Sequence, residues 1–415
     1  MGHPITPAGA GHATVALALW VLPALVLTVP VNLLPFGVLL LLTSLPVMPA
    51  LAAQWRELGR TRWAVLCSGP AVVLLAAVLV AGHRQGWAGL DTVSRLLVIP
   101  WVLVWVRYWQ PPVQALSNGA LTGLVAAAAL VGWQTLVGIA RPGGWVNPIV
   151  LADMAVVLLV LVIGLPVAQP RWRFLVGGGA CVTILLLTGS RWAWVALPVA
   201  LTASPTLRRW CRQQWPLCLL LCALVIGVVV SSAAVRDQLR AQELSSDLAR
   251  LRTGDRDSSL GARLTLWEAA LQTARQRPLS GVGPEDFVAV TGQIPACRQG
   301  NGGHVCGLEH AHNDLLHWLA VGGIGGGLAM VLVYAGPLWL FTRRRRQVLP
   351  SSPAWQVAGA GRTVVLVYLV CGLTQSMFSH QLTAGLYAVL TGMLLGLAWT
   401  GPDRPAADRA PATRA

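Results

Sequence analysis

The sequence predicts an all-α polytopic membrane protein of about 12 transmembrane helices with one large external loop. Three observations predict it. Of the 415 residues, 55% are hydrophobic and 11% charged, at a mean hydropathy of +0.64, whereas a soluble domain carries roughly 25% charged residues. Apolar runs recur along almost the whole chain, and about 20 such residues in helical form cross a bilayer core with their backbone amides satisfied internally. The net charge of +15 is carried entirely by Arg, since no Lys occurs, and most of the surplus lies in short connectors between apolar runs. That distribution is a topology signal. The longest polar stretch, 233–312, holds nine Arg and nine acidic residues and is neutral with His uncharged, so it offers no basic platform for nucleic acid.

The expected spans are 13–29, 31–53, 63–82, 89–109, 119–140, 149–168, 174–190, 191–204, 216–232, 313–341, 360–379 and 382–400. They group into an N-terminal bundle (1–232, about nine helices), an external loop (233–312) containing short helices, a C-terminal set (313–400) and a disordered tail (401–415). The weakest are 89–109, interrupted by Arg95 and Arg107, and the short 191–204 run, which fits a tilted or re-entrant element. Residues before the first span lack Arg, and no clear small-residue cleavage pattern precedes Val31, so that span reads as a retained helix.

Arginine sets the orientation, because positively charged connectors stay cytoplasmic. Arg56, Arg60 and Arg62 follow the second span, Arg171 and Arg173 the sixth, Arg208, Arg209 and Arg212 the eighth, and Arg343 to Arg346 the tenth. All fall on one side. The opposite connectors carry isolated residues such as Arg84, Arg141 and Arg191, so both termini are expected in the cytoplasm and 233–312 in the periplasm of a bacterial inner membrane. Trp20, Trp63, Trp87, Trp145 and Trp172 lie near span ends, as an interfacial belt requires. Cys297 and Cys306 are the two cysteines of the external loop. In an oxidising compartment they can form a disulfide; a metal site with His304 is the weaker alternative, since it lacks a fourth ligand.

Four local features can carry chemistry. Gly261-Ala262-Arg263-Leu264-Thr265-Leu266-Trp267-Glu268-Ala269-Ala270 reads as part of an interfacial helix that Pro278-Leu279-Ser280-Gly281-Val282-Gly283 ends. It sets Arg263 and Trp267 one helical turn apart, with a surface Arg beside an anchoring Trp as the plainer reading. Glu309-His310-Ala311-His312-Asn313-Asp314-Leu315-Leu316-His317 falls where the polar loop meets the tenth span. Ionisable groups at such depth are costly and point to function: His310 or His312 can accept a proton near neutral pH, and Asn313 and Asp314 can orient a ring or cap the helix. Metal binding is the rival use of this cluster, without the HExxH register. Thr188-Gly189-Ser190-Arg191 puts a guanidinium at the external end of a span, suited to phosphate, with snorkelling as the alternative. Val321-Gly322-Gly323-Ile324-Gly325-Gly326-Gly327 allows close helix approach or local unwinding; no strand precedes it and no Lys serves it as a nucleotide loop would require.

In their order and spacing these features resemble the O-antigen ligase and polymerase superfamily of bacterial membrane glycan transferases. The resemblance rests on Arg263 with Trp267 and Ala270, on Pro278-Leu279 with Gly281-Val282-Gly283, and on His310, His312 and Asn313 followed by Leu315, Leu316 and Gly323-Ile324. It extends less specifically to Ser190-Arg191 and the topology. Val321 departs from it, standing where many relatives carry an acidic residue. The resemblance implies transfer of a glycan from undecaprenyl diphosphate to an acceptor on the periplasmic face, with no cofactor, nucleotide sugar or metal. Arg263 and Arg191 would hold the departing diphosphate, His310 or His312 would take the acceptor proton, and Asn313, Asp314 and Trp267 would support them. The single sizeable loop favours ligation to lipid A core over polymerisation or protein glycosylation. A lipid-linked glycan transporter is the reading from another class, against which no convincing repeat relates the two halves.

Overall fold

In the computed structural model the continuous described segments are 10–31, 33–59, 89–167, 171–203, 258–283, 286–299 and 303–400, with isolated residues between 205 and 256. The expected spans 63–82 and 216–232, most of 233–257, the tail 401–415, and Trp63, Trp87, Arg60, Arg62, Arg84 and Arg209 lie outside the described residues.

Helix α1 (Ala10–Leu25) is followed by α2 (Leu34–Ser44), which continues through a 3₁₀ turn into α3 (Met48–Gly59). Then come α4 (Gly89–Ser94), a 3₁₀ turn, α5 (Val98–Trp109), α6 (Val113–Leu136), α7 (Pro148–Gly164), α8 (Arg171–Thr188) and α9 (Ala193–Leu201). The segment between α9 and α13 contributes α10 (Ser259–Gln276), α11 (Phe287–Gly292) and α12 (Pro295–Arg298), and the last described helices are α13 (Asp314–Gln347), α14 (Pro353–Gly372) and α15 (Gln381–Ala398). Among the described residues five helical runs, 34–57, α6, α13, α14 and α15, are long and apolar enough to cross a bilayer, and α1, α7 and α8 are shorter apolar helices. The chain is a multi-pass membrane protein.

Every residue of α7 from Val150 to Gly164 is buried, as expected of a helix apolar on all sides. It is the core of the bundle, surrounded by α6, α8, α9 and α14. A second buried axis, α15, packs along α5, with Gly385 at Arg95, Gly392 at Ile99 and Val102, and Gly396 at Leu103 and Val106. That register makes the two helices parallel. Small residues permit such approach.

Two of the expected spans differ in a way that shapes the site. The run expected at 360–379 is helical from Pro353 and ends at Gly372, so 373–380 is a connector rather than membrane helix. The run expected at 313–341 is not one straight helix, because Gly323 breaks it with φ 63 and ψ −161. A straight α-helix would set Asp314 and Tyr334 about 30 Å apart at 1.5 Å per residue. Instead the Tyr334 hydroxyl donates to Asp314 Oδ2 at 2.7 Å, and a Cβ on Gly326 would lie 2.4 Å from Trp318 O. The run is therefore folded back at Gly323 into two arms, 314–322 and 324–347. The 191–204 run yields α9, nine residues that are too short to cross a bilayer alone.

Candidate functional site

Helix α10 is capped by Ser258, whose hydroxyl accepts from the Gly261 N–H at 3.1 Å. Its buried face carries Gly261, Arg263, Leu266, Ala270 and Thr273, the i, i+3, i+4 pattern of an amphipathic helix. Arg263 thus comes from the packed face, with 8% of its surface exposed. Its Nη1 donates to Ser259 Oγ at 3.0 Å, its Cζ lies 5.9 Å from the Trp192 ring, and its Nε is buried with no hydrogen-bond partner. Burial and then the charge of Arg191 disfavour its protonated form, with a smaller opposing pull from Asp247 and a further push from Arg141. Three arginines, one from α10 and two from separate connectors, therefore share one electrostatic neighbourhood. Arg191 is 3.8 Å from Asp247 Oδ2, and Arg141 Nε donates to Thr188 O at 3.3 Å.

The turn after α10 docks this helix onto α13. Val282 N–H donates to Ala320 O at 3.1 Å, Gly283 N–H to Val321 O at 2.9 Å and Ile324 N–H to Pro278 O at 2.7 Å. The backbone groups released by the break at Gly323 are thus taken up by the Pro278 to Gly283 turn, as a buried backbone requires. Gly281 and Gly323 both have φ above +60° and both abut backbone: a Cβ would lie 2.4 Å from Val321 C and 2.5 Å from Pro278 O respectively. Only glycine meets both demands.

The histidine segment lies at the start of the first arm of α13. Asn313 caps it, accepting from Leu316 N–H at 3.0 Å and donating through Nδ2 to Leu373 O at 3.1 Å. Asp314, 1% exposed, accepts from Tyr334 and from Phe378 N–H at 3.1 Å. Both side chains tie the arm to α14 and to the 373–380 connector. His312 has φ 51, a left-handed conformation uncommon for a side-chain-bearing residue, and its Nδ1 is 2.5 Å from Gln375 Oε1. That oxygen also accepts from Ser376 N–H at 3.3 Å, which identifies it as the acceptor. Nδ1 therefore carries the proton, and Nε2 holds the lone pair.

The His310 ring lies between two others, 4.6 Å from His312 and 5.0 Å from His380. His317 packs at 5.2 Å from Phe287, and its Nδ1 is buried with no hydrogen-bond partner. Burial, followed by the charge of Arg263, holds His312 down at about 4 despite the Gln375 hydrogen bond, which acts the other way. Burial and the neighbouring imidazoles push His310 far below its ordinary value, and burial lowers His380 against the opposing charge of Glu309. All three rings are neutral near pH 7. The arrangement thus offers neutral imidazole bases beside a concentration of guanidinium groups, a combination suited to removing a proton while stabilising a departing anion.

The structure places Arg191, Arg263, His310, His312, Asn313 and Asp314 around one region. Trp267 stands one turn along α10, half-buried, with an indole N–H lacking a hydrogen-bond partner. Cys297 and Cys306 are joined by a disulfide with Cα atoms 5.4 Å apart, bracing the loop that leads into the histidines. Among the described residues no group of three His, Cys, Asp or Glu side chains is arranged to hold a metal ion. Sequence reasoning missed Gln375 and His380, which it placed in or against a span, and it used Arg141 only as a topology marker. The Ser376 to Gln381 stretch, polar at four of six positions between apolar runs, was the available signal.

Residues 176–331 match the family model described as O-antigen ligase. The chain is also 22% identical over 277 residues to an uncharacterised protein of Haemophilus influenzae, covering 63% of this chain and 68% of that protein.

Proposed function

We propose, from the match of residues 176–331 to the O-antigen ligase family model, that the chain transfers an oligo- or polysaccharide from undecaprenyl diphosphate to an acceptor hydroxyl at the periplasmic face of a bacterial inner membrane. O-antigen ligation to lipid A core is the preferred reaction. The observation that carries this reading is the coupling of a buried, cation-surrounded Arg263 to a His312 whose Nδ1 is held by Gln375.

In the proposed step the acceptor O–H gives its proton to His312 Nε2 as its oxygen forms a bond to the anomeric carbon. The bond from that carbon to the diphosphate oxygen breaks, and undecaprenyl diphosphate leaves with the electron pair. Arg263 and Arg191 hold the charge that grows on the leaving oxygen, with Arg141 close enough to contribute; an interaction that strengthens as the bond breaks lowers the barrier. One direct displacement inverts the anomeric configuration. Of the two histidines, His312 is preferred because its tautomer is fixed; His310, between two imidazoles, positions it. Asn313 and Asp314 act as struts and Trp267 as packing beside Arg263.

The same reading carries the twelve-span topology with both termini cytoplasmic and 233–312 periplasmic. It is supported by the arginines in the first turn of α8 and the last turns of α13, at the ends of those helices away from the site. Purified protein in detergent with lipid-linked donor and lipid A core tests the activity: a covalent glycan–core product is expected, and a carrier would give none. In a deletion strain, loss of all capped core supports ligation. Core bearing a single repeat identifies a polymerase instead.

A further inference from the structure

A groove of about 410 Å³ reaches the histidine cluster at Gln381, between α2, the α4–α5 junction and α15. Among the described residues its walls are apolar apart from two groups, Arg95 and Gln381, and it runs down α15 past Gly385 to Val389. Gln381 directly follows His380, whose ring lies 5.0 Å from His310, so the polar end of the groove adjoins the candidate site. From Gln381 to Val389 the helix covers about 12 Å. One wall, α2, turns an apolar surface outward: Leu34, Leu41 and Leu42 are 64%, 49% and 59% exposed. In a membrane protein an exposed apolar surface of this kind faces lipid, so the α2 side of the groove borders the bilayer.

Arg95 stands at the polar end. One edge of its guanidinium reaches Asp91 Oδ2 at 3.2 Å, on a carboxylate that is half-exposed, while its Nε is buried with no hydrogen-bond partner. A cation at the head of an apolar, bilayer-facing groove matches an amphiphile with a phosphate near its acyl chains. The donor's diphosphate already has the Arg263 side of the cluster, beyond His312. His310 lies between the two sides.

We propose that the α2–α4–α15 groove seats the acyl chains and proximal phosphate of a lipid-borne acceptor, so that donor and acceptor approach the histidines from opposite sides. This rests on the transferase reading and adds that the acceptor is recognised through its own membrane anchor.

Gly37 gives a clean obstruction. It lines the groove, and a Cβ placed on it meets no atom within 4 Å, so Gly37→Trp fills the groove without disturbing a packed neighbour. The full-length protein in nanodiscs is assayed with lipid-linked donor and two acceptors, lipid A core and the same core saccharide stripped of acyl chains. Gly37→Trp and Arg95→Gln should each raise KM for the acyl-bearing acceptor about tenfold or more, equivalent to about 1.4 kcal/mol. KM for donor and for the stripped saccharide should not move. The inference is overturned if wild type uses both acceptors equally well, if the variants leave acceptor KM unchanged or raise donor KM equally, or if Gly37→Trp only releases co-purified phosphatidylglycerol. No product from wild type with either acceptor rejects the transferase reading itself, which separates the two failures.

Discussion

Two buried arginines at opposite ends of the bundle show how partners, rather than depth, separate support from chemistry. Arg344, 2% exposed, donates through Nε to Ala398 O at 2.8 Å and lies 5.3 Å from the Trp399 ring, locking α13 to the end of α15. Arg263, 8% exposed, also stands against an indole, but its Nε lacks a partner and its nearest charged neighbours include two further arginines. The first guanidinium serves the fold by capping a carbonyl. The second concentrates positive charge in a dry place, where an arriving anion gains most.

The comparison breaks most sharply if the two residues are exchanged in effect. Arg263→Ala should lower kcat about 10²- to 10³-fold with the melting temperature nearly unchanged, while Arg344→Ala should cost about 2 kcal/mol of stability with normal activity per folded molecule. Thermal melts and turnover on the same preparations check both. Equal behaviour of the two variants would remove the distinction.

The fold-back that brings Arg263 to the histidines is the next test. Gly323→Ala combines an unfavourable left-handed backbone with a collision against Pro278 O, and strained positions of this kind cost about 1–3 kcal/mol each before any clash. Loss of both folded yield and activity is expected, measured by size-exclusion profile and transfer assay. Gly325→Ala, two residues on and with open space at its Cβ, should be silent.

pH sharpens the comparison on the histidine side. A base held at about 4 is neutral from there upward, so kcat/KM should keep its value below pH 6.5 and decline only as pH approaches about 4. The stability sign is the same. His312 has a folded value below the 6.5 of a free imidazole, so between the two the unfolded chain binds more protons. The associated stability is complete above about 6.5 and is lost as pH falls toward 4. Melting curves from pH 4 to 8 check it; a kcat/KM limb at 6.5 would show a solvated imidazole.

The loop variant should act on stability alone. Cys297→Ser opens a nine-residue separation, worth at most about 2.5 kcal/mol by loop entropy. It should lower the melting temperature by a few degrees with turnover near wild type.

Much of this site was legible in the sequence because its members are polar residues among apolar ones. Arg263, the His310 to Asp314 run, the Pro278 to Gly283 turn and the paired cysteines stand out for that reason. The break at Gly323 was legible only in part: the glycine-rich run admitted local unwinding, but hydropathy carries no information on whether a helix reverses. Gln375 and His380 were hidden for a related reason. They follow an apolar helix closely: the 360–379 window absorbed Gln375, and His380 was left in the short gap before the 382–400 window. Arg141 could be joined to Arg263 only by three-dimensional packing, since more than a hundred residues separate them.

The most direct measurement is single-turnover transfer by purified His312→Ala, at pH 7 and with membrane abundance matched to wild type. Loss of a positioned base should slow the chemical step about 10²- to 10⁴-fold while donor binding persists. Transfer at the wild-type rate would contradict the account, because no proton acceptor would then be needed where Gln375 holds that imidazole.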